Sequence, residues 1–168
     1  MNPAKLIEKA KQSSFYLWLL NVALSRMIPF NLPHGFKIMM LSDEGIKIKL
    51  PYKKRNLNHV RGLHACALAT LSEFTTGFLL ISRLGMDKYR LILQRLEINF
   101  HYQGKMDAEA MFSVDEQWLD QKIYQPLQTS DSVVVACEVK INDIKGNHLT
   151  TATVHWQLKD WTKVKTKT

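Results

Sequence analysis

The stretch GLHACALATLSEFTTGFLLI, residues 62–81, is a long run of mostly apolar and small side chains with a single acid, Glu73. It lacks strict alternation and is long enough for about five helical turns, so it reads as one central helix that must be buried. A helix of this kind needs a layer to lie against, and the flanking sequence supplies strands. Ile46, Ile48 and Leu50 alternate with Lys47 and Lys49, and together with Phe36 to Leu41 across Ser42-Asp43-Glu44-Gly45 they predict a half-buried hairpin. Beyond Gly85 the period of two returns in Leu96, Ile98, Phe100 and Tyr102. It recurs in Ala108, Ala110, Phe112 and Val114, in Val133, Val135, Cys137, Val139 and Ile141, and in Ala152, Val154, Trp156 and Leu158. Asp143 to Asn147, with Gly146, predicts a hairpin turn between the last two runs, while Asp115 to Gln128 fits either a loop or a short helix. The expected class is α+β, with an antiparallel sheet wrapped around one central helix.

Upstream, Ala4 to about Met27 reads as a single amphipathic helix stopped by Ile28-Pro29. The apolar run Phe15 to Leu20 follows Lys5, Lys9 and Lys11 as in a signal peptide, but Glu8 interrupts the basic region and no small-x-small cleavage site follows Leu24. Asn21 keeps the run well short of the ~20 residues of a membrane span. An uncleaved N-terminal helix, no membrane span and a cytoplasmic location are therefore expected. A single domain over residues 1–168 is expected too, with a core at about 30–158 and a basic, solvated tail at about 161–168. The 46% hydrophobic and 23% charged residues suffice for a sizeable core. Cys66 and Cys137 are the only cysteines, without C-x-x-C or metal-ligand spacing, which argues against a disulfide scaffold and against a metal site. The net charge of +8 calls for an acidic partner. No helix-turn-helix, zinc-finger or aromatic RNA-binding motif directs that charge to nucleic acid.

A carboxylate taken out of water is costly unless it is paired, hydrogen-bonded or protonated. On a helix, Glu73 shares its face with Cys66, Ala69, Thr70, Thr76 and Gly77, whereas Ala67, Leu71, Phe74 and Phe78 lie on another side. A small-residue face admits a ligand or a second backbone. The residues alone leave Glu73 two roles: a structural acid bonded to Thr70, Thr76 or a partner helix, or a base working on a ligand. His64 can cap the helix or move a proton, and Cys66 is either small filler or a thiol beside that histidine. Asn58 can close an Asx-turn or enter the site, and Lys53, Lys54, Arg55 and Arg61 can meet phosphates or simply water.

The series Asn58, His64, Glu73 in NHVRGLHACALATLSE, with spacings of six and nine, resembles the Asn…His-Gly-Gly…Asp/Glu pattern of hotdog-fold thioesterases. The wider run, from LPYKKRN through the helix to LEINFHY, is similar to an uncharacterised thioesterase-like branch of that superfamily, DUF4442, and covers roughly residues 30–158. The resemblance implies a hotdog fold and a homodimer, or a tetramer built from it. It also implies activity on acyl-thioesters of coenzyme A or acyl carrier protein, with no cofactor beyond the coenzyme A of the substrate. By the same resemblance Asn58 orients water or substrate, the Ala65 N–H binds the thioester carbonyl, and Glu73 is the base or nucleophile. His64, Cys66, Thr70, Gly77 and Arg61 border the substrate. Two departures stand out: Ala65-Cys66 replaces the glycine pair, and Leu93-Gln94 stands where Ser or Thr is usual, with Gln94 the candidate substitute.

Elementary chemistry agrees with this division of labour. A helix N-terminus offers unpaired N–H donors and partial positive charge to a developing oxyanion, and a carboxylate deprotonates water or attacks the carbonyl. Ala65 and Glu73 are eight positions apart, about 12 Å along the axis at about 1.5 Å per residue, too far to act on one carbonyl from one chain. Antiparallel helices in a symmetric dimer would bring Ala65 of one subunit to Glu73 of the other. The alternative is a noncatalytic hotdog protein that binds acyl-coenzyme A or another acyl ligand.

Overall fold

A computed structural model describes residues 2–164. Its six strands are β1 (Lys37–Leu41), β2 (Gly45–Leu50), β3 (Tyr89–Phe100), β4 (Ala108–Ser113), β5 (Ser132–Asp143) and β6 (His148–Asp160). They form one antiparallel sheet in the order β1-β2-β4-β5-β6-β3. Helix α3 (Ala65–Leu84) packs on one face of that sheet, touching β2 through β6. Leu71, Leu79 and Leu80 on the helix are fully buried in one core with Ile46, Ile48, Ile141 and Leu158 of the sheet. The outer face is polar, as alternation requires: Lys47 and Lys49 reach across to Glu109 and Asp107 at 2.6 and 2.7 Å.

The β5–β6 hairpin forms as expected. Gly146 takes φ +85°, and the Asp143 carboxylate accepts from the N–H groups of Lys145 and Asn147 at 2.9 and 3.0 Å. Spatial order departs from chain order. Because α3 carries the chain across the sheet, β3 joins the far edge and pairs with β6 from Tyr89↔Asp160 to Phe100↔Thr150. Within β3 a bulge interrupts the alternation: Leu93 opposes Trp156 and Arg95 opposes His155, so Gln94 has no counterpart. Leu91 and Leu93 before it and Leu96 after it all turn toward α3 as a result.

The expected single N-terminal helix is two, α1 (Pro3–Gln12) and α2 (Ser14–Met27). Ser13 breaks them with extended backbone, φ −144° and ψ 126°. It begins a pair of serines, whose side chains compete with helical hydrogen bonding. Residues 115–129 resolve to helix: Asp115 caps α4 (Glu116–Leu119) through the Trp118 N–H at 2.6 Å. A π-helical turn (Asp120–Tyr124) and α5 (Gln125–Thr129) follow. Leu119 and Ile123 anchor this segment in the core. The expected solvated tail is docked at its start, where Trp161–Lys163 form a 3-10 turn and the Trp161 indole donates to the Met86 carbonyl at 3.0 Å. Residues 165–168 lie outside the described part of the chain. Among the described residues α3 alone is long and apolar enough to cross a membrane, and 67% of its apolar window is buried inside the fold.

Candidate active site

The N-terminal end of α3 is fixed by side-chain amides. Asn56 is fully buried: its Nδ2 donates to the carbonyls of His34 and Pro51 at 2.9 and 2.8 Å, and its Oδ1 meets His34 Nδ1 at 3.0 Å. The Asn56 carbonyl in turn receives the His64 N–H at 2.7 Å. Thus held, His64 caps the helix, its Nδ1 accepting from the Cys66 N–H at 3.1 Å. The imidazole therefore engages the backbone of Cys66 rather than its thiol. The N–H of Ala65, one residue earlier, donates to no described group and is left free at the positive end of the helix.

Asn58 organises the preceding turn. Its Oδ1 accepts from Val60 and Gly62 N–H at 3.1 and 2.9 Å, closing a loop in which Arg61 takes a left-handed φ of 59°. Asn58 and Ala65 border one hollow of about 320 Å³, together with Phe100 and His101. The Arg61 side chain is exposed and borders neither this hollow nor the Glu73 cleft; its carbonyl accepts from the Tyr52 hydroxyl at 2.5 Å.

Glu73 lies in a separate cleft of about 660 Å³ between α3, β3 and the segment after α2. Cys66, Thr70 and Gly77 line it with Glu73, and Leu91, Leu93 and Leu96 form the opposite wall. Burial pushes the Glu73 carboxyl above the usual carboxylate range, with no described cation or donor to counter it. The structural role through threonines is excluded by geometry. Thr70 donates its hydroxyl to the Cys66 carbonyl at 2.8 Å, and Thr76 lies 3.0 Å from the Ser72 carbonyl while accepting from the Trp156 indole at 3.0 Å. Gly77 makes that indole contact possible, since a Cβ there would lie 2.5 Å from Trp156 Cζ2. Gln94 does not line the cleft: the bulge leaves it unpaired and exposed, and Leu93, itself partly exposed, lines the cleft in its place.

The structure therefore brings Glu73 together with Cys66, Thr70 and Gly77, and Asn58 with Ala65, but within one chain it keeps the two groups in different hollows. Four further residues matter that motif spacing did not mark. Phe30 and Asn31 close the cleft from an irregular segment with no periodic signal, Trp156 was visible only as an inward strand position, and Asn56 does its work through tertiary contacts. Cys137 is buried with its thiol pushed up to about 12, so it is an inert core residue. No cluster of three or more His, Cys, Asp or Glu able to hold a metal occurs among the described residues.

The same sheet-around-helix arrangement is found in solved structures. A Pseudomonas aeruginosa protein of unknown function, described as a probable thioesterase, matches with a TM-score of 0.76 at 20% identity, over 84% of this chain and 95% of its own. A thioesterase from Haemophilus influenzae matches with a TM-score of 0.67 at 12% identity, over 89% of this chain and 94% of its own. A mutant thioesterase from Staphylococcus aureus gives 0.63 at 14%, over 78% of this chain and 98% of its own. These likenesses define the class: the chain has the hotdog fold. Residues 17–158 match the domain of unknown function DUF4442, and the chain belongs to that family. Curated proteins offer no match.

Proposed function

We propose that the protein hydrolyses an acyl-thioester of coenzyme A or acyl carrier protein at composite sites in a homodimer. One observation carries this reading: a free N–H at the positive end of α3 and a half-buried carboxylate with no described partner two turns further along open into separate hollows that share β3 as a wall. Strand β3 is an edge of 12 residues, with Ile92, Leu93 and Phe100 exposed along it. The opposite edge is blunted, because the Asn21 side chain on α2 pairs with both the N–H and the carbonyl of Ile38 at 2.7 and 3.0 Å. A long edge strand that no described helix or side chain covers is a template for another strand. Pairing two β3 strands antiparallel about a two-fold near their middle sets the Phe100 end of one against Ile92 and Leu93 of the other. The hollow holding Ala65 then faces the cleft holding Glu73 of the partner subunit.

In that site the thioester carbonyl oxygen accepts the Ala65 N–H while negative charge builds on it. Glu73 takes a proton from water as the water oxygen bonds to the carbonyl carbon. The C–S bond then breaks and the departing sulfur takes the proton back from Glu73, leaving a carboxylic acid and a thiol. The apolar cleft holds the acyl group, and the exposed Lys53, Lys54 and Arg55 ahead of α3 suit the phosphates of coenzyme A or an acidic carrier. Two unbridged cysteines suit a reducing cytoplasm.

The leucine wall opposite Glu73 favours a second reading, since it offers no hydroxyl to hold the water: an acyl ligand is bound but not cleaved. Thiol release from short-, medium-, long-chain and aryl acyl-coenzyme A, measured for the native chain and Glu73→Ala, separates the two. Release that drops at least about 100-fold in the variant supports hydrolysis. Binding by titration without release supports the second reading, and neither binding nor release overturns both.

A further inference from the structure

Helix α3 presents Glu73, Gly77 and Ile81 to the cleft at intervals of four residues, one behind another along the axis. Past Ile81 lies a second hollow of about 490 Å³, enclosed between the start of α1 and the end of α3 with Ile7, Leu84 and Met86 in its walls. Ile81 lines both spaces. Its side chain bounds each of them, and a β-branched residue on a helix holds one strongly preferred rotamer, which makes that boundary stiff. Its neighbours Leu80 and Ser82 are buried, so the helix cannot easily turn to move it aside.

Resting on the acyl-thioester reading, we infer that Ile81 is the stop that sets the length of acyl chain the cleft accepts. Glu73 and Ile81 are eight positions apart, about 12 Å along the axis. An extended hydrocarbon built from C–C bonds of about 1.5 Å advances about 1.25 Å per carbon, so roughly nine or ten carbons reach from the carboxylate to Ile81. Longer chains meet its methyl groups. The second hollow adjoins Ile81, with Arg83 and Asp87 also lining it, and becomes available to an alkyl chain when residue 81 is made smaller.

The test uses straight-chain acyl-coenzyme A from butyryl to octadecanoyl with the native chain, Ile81→Ala and Ile81→Phe. It reads kcat/KM by thiol release and Kd with the unhydrolysable thioether analogues. Native preference should peak near octanoyl to decanoyl. In Ile81→Ala the ratio of tetradecanoyl to octanoyl should rise by about tenfold or more, as expected when a pocket gains room for several methylenes. In Ile81→Phe the peak should move to shorter chains, and that shift decides the matter if Ile81→Ala does not fold. Identical length profiles in all three overturn the role of Ile81 while leaving the thioester reading intact. Failure of the native chain to bind or cleave any straight-chain member overturns the role of Ile81, and the thioester reading falls with it only when aryl acyl-coenzyme A is neither bound nor cleaved.

Discussion

Glu73 occupies a position where packing alone would select an uncharged side chain, and its cost to folding is measurable. Its folded pKa is raised by burial above the unfolded value. Stability from such a group is fully present below the unfolded pKa and is lost as pH rises through the folded one, because the unfolded chain ionises more readily. Glu73→Gln removes the charge while keeping the shape. Thermal unfolding should therefore show it more stable than the native chain at neutral pH and nearly equal to it below the ordinary glutamate pKa of about 4.3. Equal Tm values throughout would mean that the carboxylate pays no desolvation cost. In the native chain the acid limb of the rate should lie above that same value, as Glu73 gains its charge. At this scale the sequence was informative where chemistry conflicts with environment: an acid in an apolar run, a histidine at a helix start. It was silent on Gln94, because a bulge is a property of two paired strands and leaves no mark in the alternation of either one alone.

Among elements, the two sheet edges are treated oppositely. Helix α2 protects β1 through Asn21, whose single amide stands in for a neighbouring strand at Ile38, whereas β3 has no such cover among the described residues. Asn21→Leu should leave the Ile38 N–H and carbonyl without partners and destabilise the fold by about 1–3 kcal/mol, read from urea unfolding. An unchanged midpoint would show that water replaces the amide at no cost. The strands themselves were legible because one face is buried and the other is wet, which imposes period two on β2, β4, β5 and β6. Their neighbour order was not, since it depends on where α3 delivers the chain. Asn21 registered in the sequence only as a polar interruption of an apolar run, and its bond to a residue 17 positions away is a tertiary fact.

At the scale of the whole molecule, the proposed sharing of sites makes a prediction that neither residue makes alone. Ala65 is the first residue of α3, where proline is well tolerated, and His64 before it has φ −68° and ψ 137°, which a following proline accepts. Ala65→Pro therefore deletes the free N–H and leaves the helix standing. By itself it should lower kcat by about 100-fold or more through loss of the proposed oxyanion donor. Glu73→Gln should be inactive for the opposite reason. Mixed as unfolded chains and refolded together at equal amounts, the two variants should pair at random, so half the dimers carry one chain of each kind. Each mixed dimer then holds one intact site, with Ala65 from the Glu73→Gln chain and Glu73 from the Ala65→Pro chain, and one site lacking both groups. The mixture should recover about a quarter of native activity, whereas sites formed within single chains would stay dead in every pairing. Size-exclusion chromatography of the refolded mixture checks that dimers formed, so a dimeric and inactive mixture rejects the composite site.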